Sequence, residues 1–259
     1  MMHYTQFSFL YTFSLLAGML ILTEAGRRIG LRRMAEDPEG VRAGLGAIEA
    51  AILALLGLLL AFTFSGAGSR FDARRQLIVD ETNTIGTAYL RIDLLLAAAQ
   101  PELRENFRRY VEARLEVYRK MPDLLAAKNE LARANDLQKE IWRQAIAAVR
   151  AEGAPVQAAM LVLPSLNSMI DIASTRTMAA QMHPPTIVFF LLFVLPLVCA
   201  LLAGYGMVGK SRSWLHILCF VFVTAVTVYV TLDIEYPRLG FIRVDEFDQA
   251  LVDLRNNMN

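Results

Sequence analysis

The densest set of residues able to do chemistry lies in SGAGSRFDARRQLIVDETNTIGTAYLRIDLL, residues 65–95. Arg70, Arg74, Glu81 and Arg91 fall at a and d type positions of one heptad frame, and Asp80, Thr84, Thr87 and Arg91 line a neighbouring face, with Arg75 as a further cation. So many hydrogen-bonding side chains facing other helices need partners for all of them. Two arrangements provide them: a juxtamembrane salt-bridge network, or a polar vestibule below a pore. Elsewhere the reactive residues are scattered. Glu49 is the one charge inside an apolar stretch; it either pairs with Arg42 or Arg27 at the membrane edge or serves an ion or proton pathway. Asp233 and Glu235 carry the same choice, with Arg238 as a cap. Cys199 and Cys219 sit in apolar stretches as small hydrophobes, without metal-ligand spacing, and no disulfide is expected. His3, His183 and His216 have no Cys or carboxylate at ligand spacing. No phosphate loop, dinucleotide fingerprint, nucleophile elbow or HExxH is present, so no catalytic residues, metal or cofactor are expected, and no enzyme. The GYGMVG run with Gly204, Gly206 and Gly209 ends a hydrophobic stretch and reads as helix termination.

The elements that must position these residues follow from how charge is distributed. Four windows, 7–23, 47–65, 186–207 and 214–232, total 77 residues and hold one charge, Glu49. The other 182 residues hold 50 of the 51 charges. A soluble globule does not segregate charge this way, and a near-neutral, cysteine-poor chain is neither a disulfide scaffold nor a dedicated nucleic-acid binder. Each window approaches the roughly 20 residues that a helix needs to cross hydrocarbon. The first is not a signal peptide, because its arginines follow it rather than precede it. Trp214 and Tyr229 flank the fourth as interfacial aromatics, and Pro196 kinks the third. The second is rich in small residues, Ala47, Ala50, Ala51, Ala54, Gly57 and Ala61, which permit close helix packing. Within it Leu58, Phe62 and Ser65 lie at i, i+4 and i+7 and would form the neck of a pore.

Residues 70–183 carry 16 Lys/Arg and 14 Asp/Glu without strand alternation, so helices are expected there. Phe64, Phe71, Ile78, Ile85, Tyr89, Ile92 and Leu96 continue a helix out of the second window. Pro101 opens a second helix with Leu103, Phe107, Val111, Leu115 and Tyr118 inward. Pro122 and Asp123 open a third, with Leu131, Ala134, Gln138, Ile141 and Ala145 inward, ending at Gly153 and Pro155. Val156 to about Met182 makes a fourth, bent at Pro164. The expected fold is an all-α membrane protein: four transmembrane helices with a helical bundle inserted between the second and third spans. Its parts are 1–69, 70–183, 184–236 and a C-terminal tail, 237–259. The charge-free first six residues and the arginines of 24–46 place 70–183 outside the cytoplasm by the positive-inside rule, although the seven Lys/Arg of the two short loops are matched by seven flanking the spans on the other side, Arg70, Arg74, Arg75, Arg176, Arg238, Arg243 and Arg255.

RFDARRQLIVDETNTIGTAYLRIDLL, NSMIDIASTRTMAAQMHPP (167–185), LLAGYGM (201–207) and DIEYPRLGFIRVDEFDQAL (233–251) together resemble a bacterial bestrophin-like membrane family of unknown function. Four spans, a helical insertion between the second and third, and an RFxxR pattern at Arg70, Phe71 and Arg74 extend the resemblance toward true bestrophins. These have a tryptophan within that pattern, where this chain has Asp72 and Ala73, and no acidic run here matches their calcium clasp. True bestrophins are pentameric anion channels whose insertion is cytosolic, the reverse of the orientation that the charges give. The resemblance implies a multi-pass protein of the bacterial inner membrane, in contact with the lipid bilayer and, if a channel, a homo-oligomer. Two functions stand open. One is a non-conducting interaction or sensor module whose 70–183 bundle binds a protein partner or lipid. The other is an oligomeric anion channel lined by the second span, with Arg70 and Arg74 concentrating anions beyond the neck. No nucleic-acid partner is expected.

Overall fold

The computed structural model describes residues 2–36, 45–207 and 213–258, without the side chains of 2–7 and 45. Arg42, Gly209, Lys210 and Arg212 therefore lie outside the described residues, as do the side chains of His3, Tyr4 and Thr5. Eight α-helices account for most of what is described: α1 (Met2–Glu36), α2 (Leu45–Leu90), α3 (Gln100–Arg119), α4 (Leu124–Val149), α5 (Val156–Gln181), α6 (Thr186–Gly206), α7 (Trp214–Glu235) and α8 (Gln249–Asn256). Short 3₁₀ turns at Arg91–Leu94, Ala97–Ala99 and Asp245–Asp248 complete them, and no strand occurs among the described residues. Among the described residues, four helices long and apolar enough to cross a membrane lie within Ser8–Glu36, Gly46–Leu94, Val156–Gly206 and Trp214–Glu235.

The chain divides into two compact units. One comprises Met2–Arg70 and His183–Tyr236, that is α1, the first half of α2, α6 and α7. Here α1 packs on both α6 and α7, and Leu15, Met19, Leu192, Ala200, Ile217, Val221, Val228 and Leu232 form the core. Its packing depends on two glycines. A Cβ at Gly204 would collide with the Thr23 carbonyl, and one at Gly26 with the Leu201 carbonyl. Gly204 lies in the last turn of α6, which ends at Gly206 within the GYGMVG run as the sequence suggested, and it also lets two backbones touch. The arginines Arg27, Arg28, Arg32 and Arg33 belong to α1 itself rather than to a loop, because the helix continues to Glu36. Cys199 and Cys219 are both free thiols.

The second unit comprises Phe71–Met182 together with the residues from Pro237 onward. Amphipathic periodicity drives it. Ile85, Tyr89 and Ile92 meet Leu103, Phe107, Tyr110 and Val111 of α3, Ile141 and Ala145 of α4, and Val162, Leu166 and Met169 of α5. Pro101 occupies the first turn of α3, and Asp123 caps α4 by accepting from the N–H groups of Leu125 and Ala126 at 3.1 and 3.0 Å. The C-terminal residues are built into this core: Leu251 and Met258 are buried, and the Met258 carbonyl accepts from Arg108 Nε at 3.0 Å.

The glycine contacts make a direct prediction. Gly204→Ala and Gly26→Ala should each lower the melting temperature in detergent, since overpacking costs about 1–3 kcal/mol and the obstructing atoms are backbone. Gly68→Ala, with open space at its Cβ, should gain helix propensity and melt no lower than wild type.

Candidate functional site

Two arrangements of functional side chains emerge, one on the exposed face of α2 and one in the core of the charged unit. Along α2, Ala47, Ala51, Ala54, Leu58, Phe62 and Ser65 recur at steps of three or four residues, and all are exposed. At 100° per residue the same arc continues through Ser69, Asp72, Gln76, Asp80, Asn83 and Thr87, which are exposed or half-buried. Leu58 and Phe62 are 51% and 69% exposed, whereas the opposite side of the helix buries Leu56 and Ala67. Other small residues of the second window, Ala50, Gly57 and Ala61, are exposed as well. Glu49, half-buried near the start of α2, lies so that a Cβ on Gly206 would meet its carboxylate oxygen at 2.7 Å.

The polar residues of 70–91 do not form one network. Arg70 is bidentate to Glu235, at 2.7 Å for Nη2, and His183 Nδ1 meets the same carboxylate at 3.1 Å while its ring stacks on Tyr236. Glu235 is therefore the partner of Arg70. Arg74 donates to the carbonyls of Ala179 and Met182, closing the C-terminal end of α5. Arg75 pairs with Asp72 at 3.1 Å, its guanidinium 4.3 Å from the Phe247 ring. Asp80 accepts from Gln76, and Arg91 donates to the Leu161 carbonyl.

Glu81 alone among them enters a buried ion network. It is 0% exposed, accepts from Arg114 Nε at 2.6 Å and is ion-paired with Arg176. Arg176 reaches Asp248 at 3.0 Å, and Asp248 also binds Arg238. Tyr118 lies among three guanidiniums, those of Arg176, Arg238 and Arg114, at 4.0, 4.3 and 5.6 Å from its ring. Burial opposes ionisation of Glu81, but the two guanidiniums outweigh it and hold its pKa below the usual carboxylate range. The sequence pointed to Glu81 and, as a cap only, to Arg238, but not to Arg114, Arg176 or Asp248. A signal existed for two of them: Arg114 follows Phe107 and Val111, and Arg176 follows Met169 and Ala173, on apolar stripes where a solvated charge does not belong.

An α-helical protein with no strand and with four helices long and apolar enough to cross a membrane among its described residues is the class that this fold defines. The chain belongs to the bestrophin-like family: the family model of the bestrophin-like domain matches residues 13–247. Its fold is similar to crystal structures of a bacterial bestrophin homologue from Klebsiella pneumoniae, each carrying one mutation. One such structure gives a TM-score of 0.65 at 16% identity, covering 95% of this chain and 99% of the other. A second gives 0.63, also at 16% identity, covering 93% and 98%. No curated protein matches the sequence.

Glu81→Gln should lower stability in detergent by about 3–5 kcal/mol, because two buried guanidiniums lose their counter-charge. Exposed Lys128→Ala should change it by less than about 0.5 kcal/mol. With a depressed folded pKa, the Glu81 carboxylate contributes fully above its unfolded pKa, about 4.3, and loses that contribution as pH falls toward the folded value. The melting-temperature gap between wild type and Glu81→Gln should therefore stay constant at neutral pH and narrow under acid. Equal melting temperatures for all three proteins at pH 7 would contradict the network.

Proposed function

We propose that the protein is a homo-oligomeric ion channel of the bacterial inner membrane, with α2 as the pore-lining helix of each copy. The observation that carries this reading is the exposed stripe of α2. A helix facing lipid all round would carry large apolar side chains on every side. This stripe instead runs from alanines, through the bulky pair Leu58 and Phe62, to uncharged polar and acidic residues. That order suits a pore helix: small residues where copies approach closely, an apolar neck that gates by dewetting, and a hydrated exit. Membership of the bestrophin-like family and a fold shared with a bacterial bestrophin homologue over nearly the full length of both chains support it.

Arg70 and Arg74 suit the first of the two parts the sequence left open, a structural network, better than a ring that concentrates anions. Both are engaged, one by a carboxylate and one by carbonyls, so their removal would act first on stability.

Purified protein in liposomes should release a trapped salt gradient faster than empty vesicles, and it should elute in detergent at the size of an oligomer. Phe62→Ala, by widening the neck, should raise the flux severalfold. Flux at the empty-vesicle level for both proteins, with elution as a monomer, would rule out the channel and leave the non-conducting interaction or sensor module.

A further inference from the structure

The packing of α1 on α7 leaves an apolar groove of about 310 Å³ in the apolar unit, lined by Leu16 and Leu20 of α1 and by Leu218, Cys219, Val221 and Phe222 of α7. Both helices are long and apolar enough to cross a membrane, so hydrocarbon is the medium that this groove meets. They run antiparallel: Phe9 meets Tyr229 with ring centroids 5.5 Å apart, while Leu20 shares the groove with Leu218. The groove therefore runs toward the C-terminal end of α1 and the start of α7, and at that end the chemistry changes. Trp214, 51% exposed, stands one turn before Leu218 on the same stripe of α7, where its ring suits the membrane interface. Arg27 shares one stripe of α1 with Leu16 and Leu20, following them by 11 and 7 residues. It lies 19 residues beyond Ser8, roughly 28 Å at 1.5 Å per residue, about one hydrocarbon thickness. Arg28 and Glu24 cancel as an ion pair at 2.9 Å, whereas Arg27 has no ion pair among the described residues. Beyond them α1 carries Arg32 and Arg33 against Glu36.

We propose that this groove binds an anionic phospholipid of the bilayer. One acyl chain lies along Leu16, Leu20, Leu218 and Phe222, the phosphate meets the Arg27 guanidinium, and Trp214 sits at headgroup depth. The apolar lining alone would not choose among lipids, because any acyl chain matches it. The guanidinium makes the choice. A zwitterionic headgroup carries its own ammonium, which offsets its phosphate, whereas an anionic one presents an uncancelled charge to Arg27. A second copy of the chain suits the groove less well, since a protein surface that buried Arg27 would need a carboxylate of its own at that depth. The site is distinct from the exposed arc of α2 and does not depend on α2 lining a pore.

Cys219 is exposed in the groove and serves as a built-in reporter, while the other cysteine, Cys199, is buried. In full-length protein purified in detergent, N-ethylmaleimide should react at Cys219, and added phosphatidylglycerol should slow that reaction. Phosphatidylcholine should need a concentration about fivefold higher for the same protection, the contribution of one arginine facing an anionic headgroup. Arg27→Gln should bring the two lipids to equality, whereas Arg27→Lys, which keeps the charge, should retain most of the difference. Arg109→Gln, at an exposed cation of the charged unit, should leave it unchanged. Leu218→Trp, by filling the groove, should lower the amount of either lipid retained, counted by native mass spectrometry. Equal protection by the two lipids in wild type, a preference that survives Arg27→Gln, or lipid retention unchanged in Leu218→Trp would overturn the site. Labelling that neither lipid slows would do the same. A Cys219 that stays unreactive in lipid-free protein eluting as an oligomer would give the groove to another copy of the chain and overturn it too.

Discussion

One carboxylate organises the charged unit. Glu81 projects from α2 into a dry core and draws Arg114 from α3 and Arg176 from α5 onto itself. Two guanidiniums on one carboxylate leave an excess positive charge, and Asp248 of the C-terminal segment balances it through Arg176. Burying charge without compensation costs several kcal/mol per ion, so these groups constrain one another. Moving any one of the three helices, or lifting the C-terminal segment, would strand a charge in an apolar setting. Apolar surface makes the bundle collapse, and the ion network fixes which arrangement it collapses into. Tyr118, among three arginines, presents its electron-rich face to the same positive charge.

A different constraint governs the apolar unit. With no water to expel inside a bilayer, helices associate by close packing, and Gly26 and Gly204 let α1 and α6 approach until backbone meets backbone. Residues 47–65 of α2 do not share this intimacy. Only part of this stretch is tied down, through Leu56, Leu59, Leu60 and the Cys199 thiol on the Ile52 carbonyl. A helix that leaves alanines, glycine and a regular arc of small and polar residues uncovered in one copy is suited to meeting other copies. The functional proposal grows from that contrast.

Much of the fold was legible in the sequence because it is encoded by periodicity. The apolar windows, Pro101, Asp123 and the stripe of Ile78, Ile85 and Tyr89 each have a local signature, and the helices follow them. The site was less legible because ion pairing is a tertiary property. Arg70, Arg74, Glu81 and Arg91 share a heptad frame, yet their partners are a distant carboxylate, two carbonyls, two distant arginines and another carbonyl. No spacing rule on one helix could pair Glu81 with Arg176, 95 residues away. The packing role of Gly204 was hidden for a related reason. A glycine near the end of an apolar run looks the same whether or not it also admits a neighbouring backbone, and only the Thr23 carbonyl shows that it does.

The central claim is that the exposed arc of α2 faces its counterparts in neighbouring copies around a shared axis. Thiol cross-linking in native membranes tests it most directly, in a background where Cys199 and Cys219 are replaced by serine. Ser65→Cys, on the arc, should give a ladder of cross-linked oligomers on mild oxidation or with a short bifunctional reagent. Leu53→Cys, exposed on the other side of the same helix, should stay monomeric under the same conditions. Monomer alone at position 65, or equal cross-linking at both positions, would contradict the account.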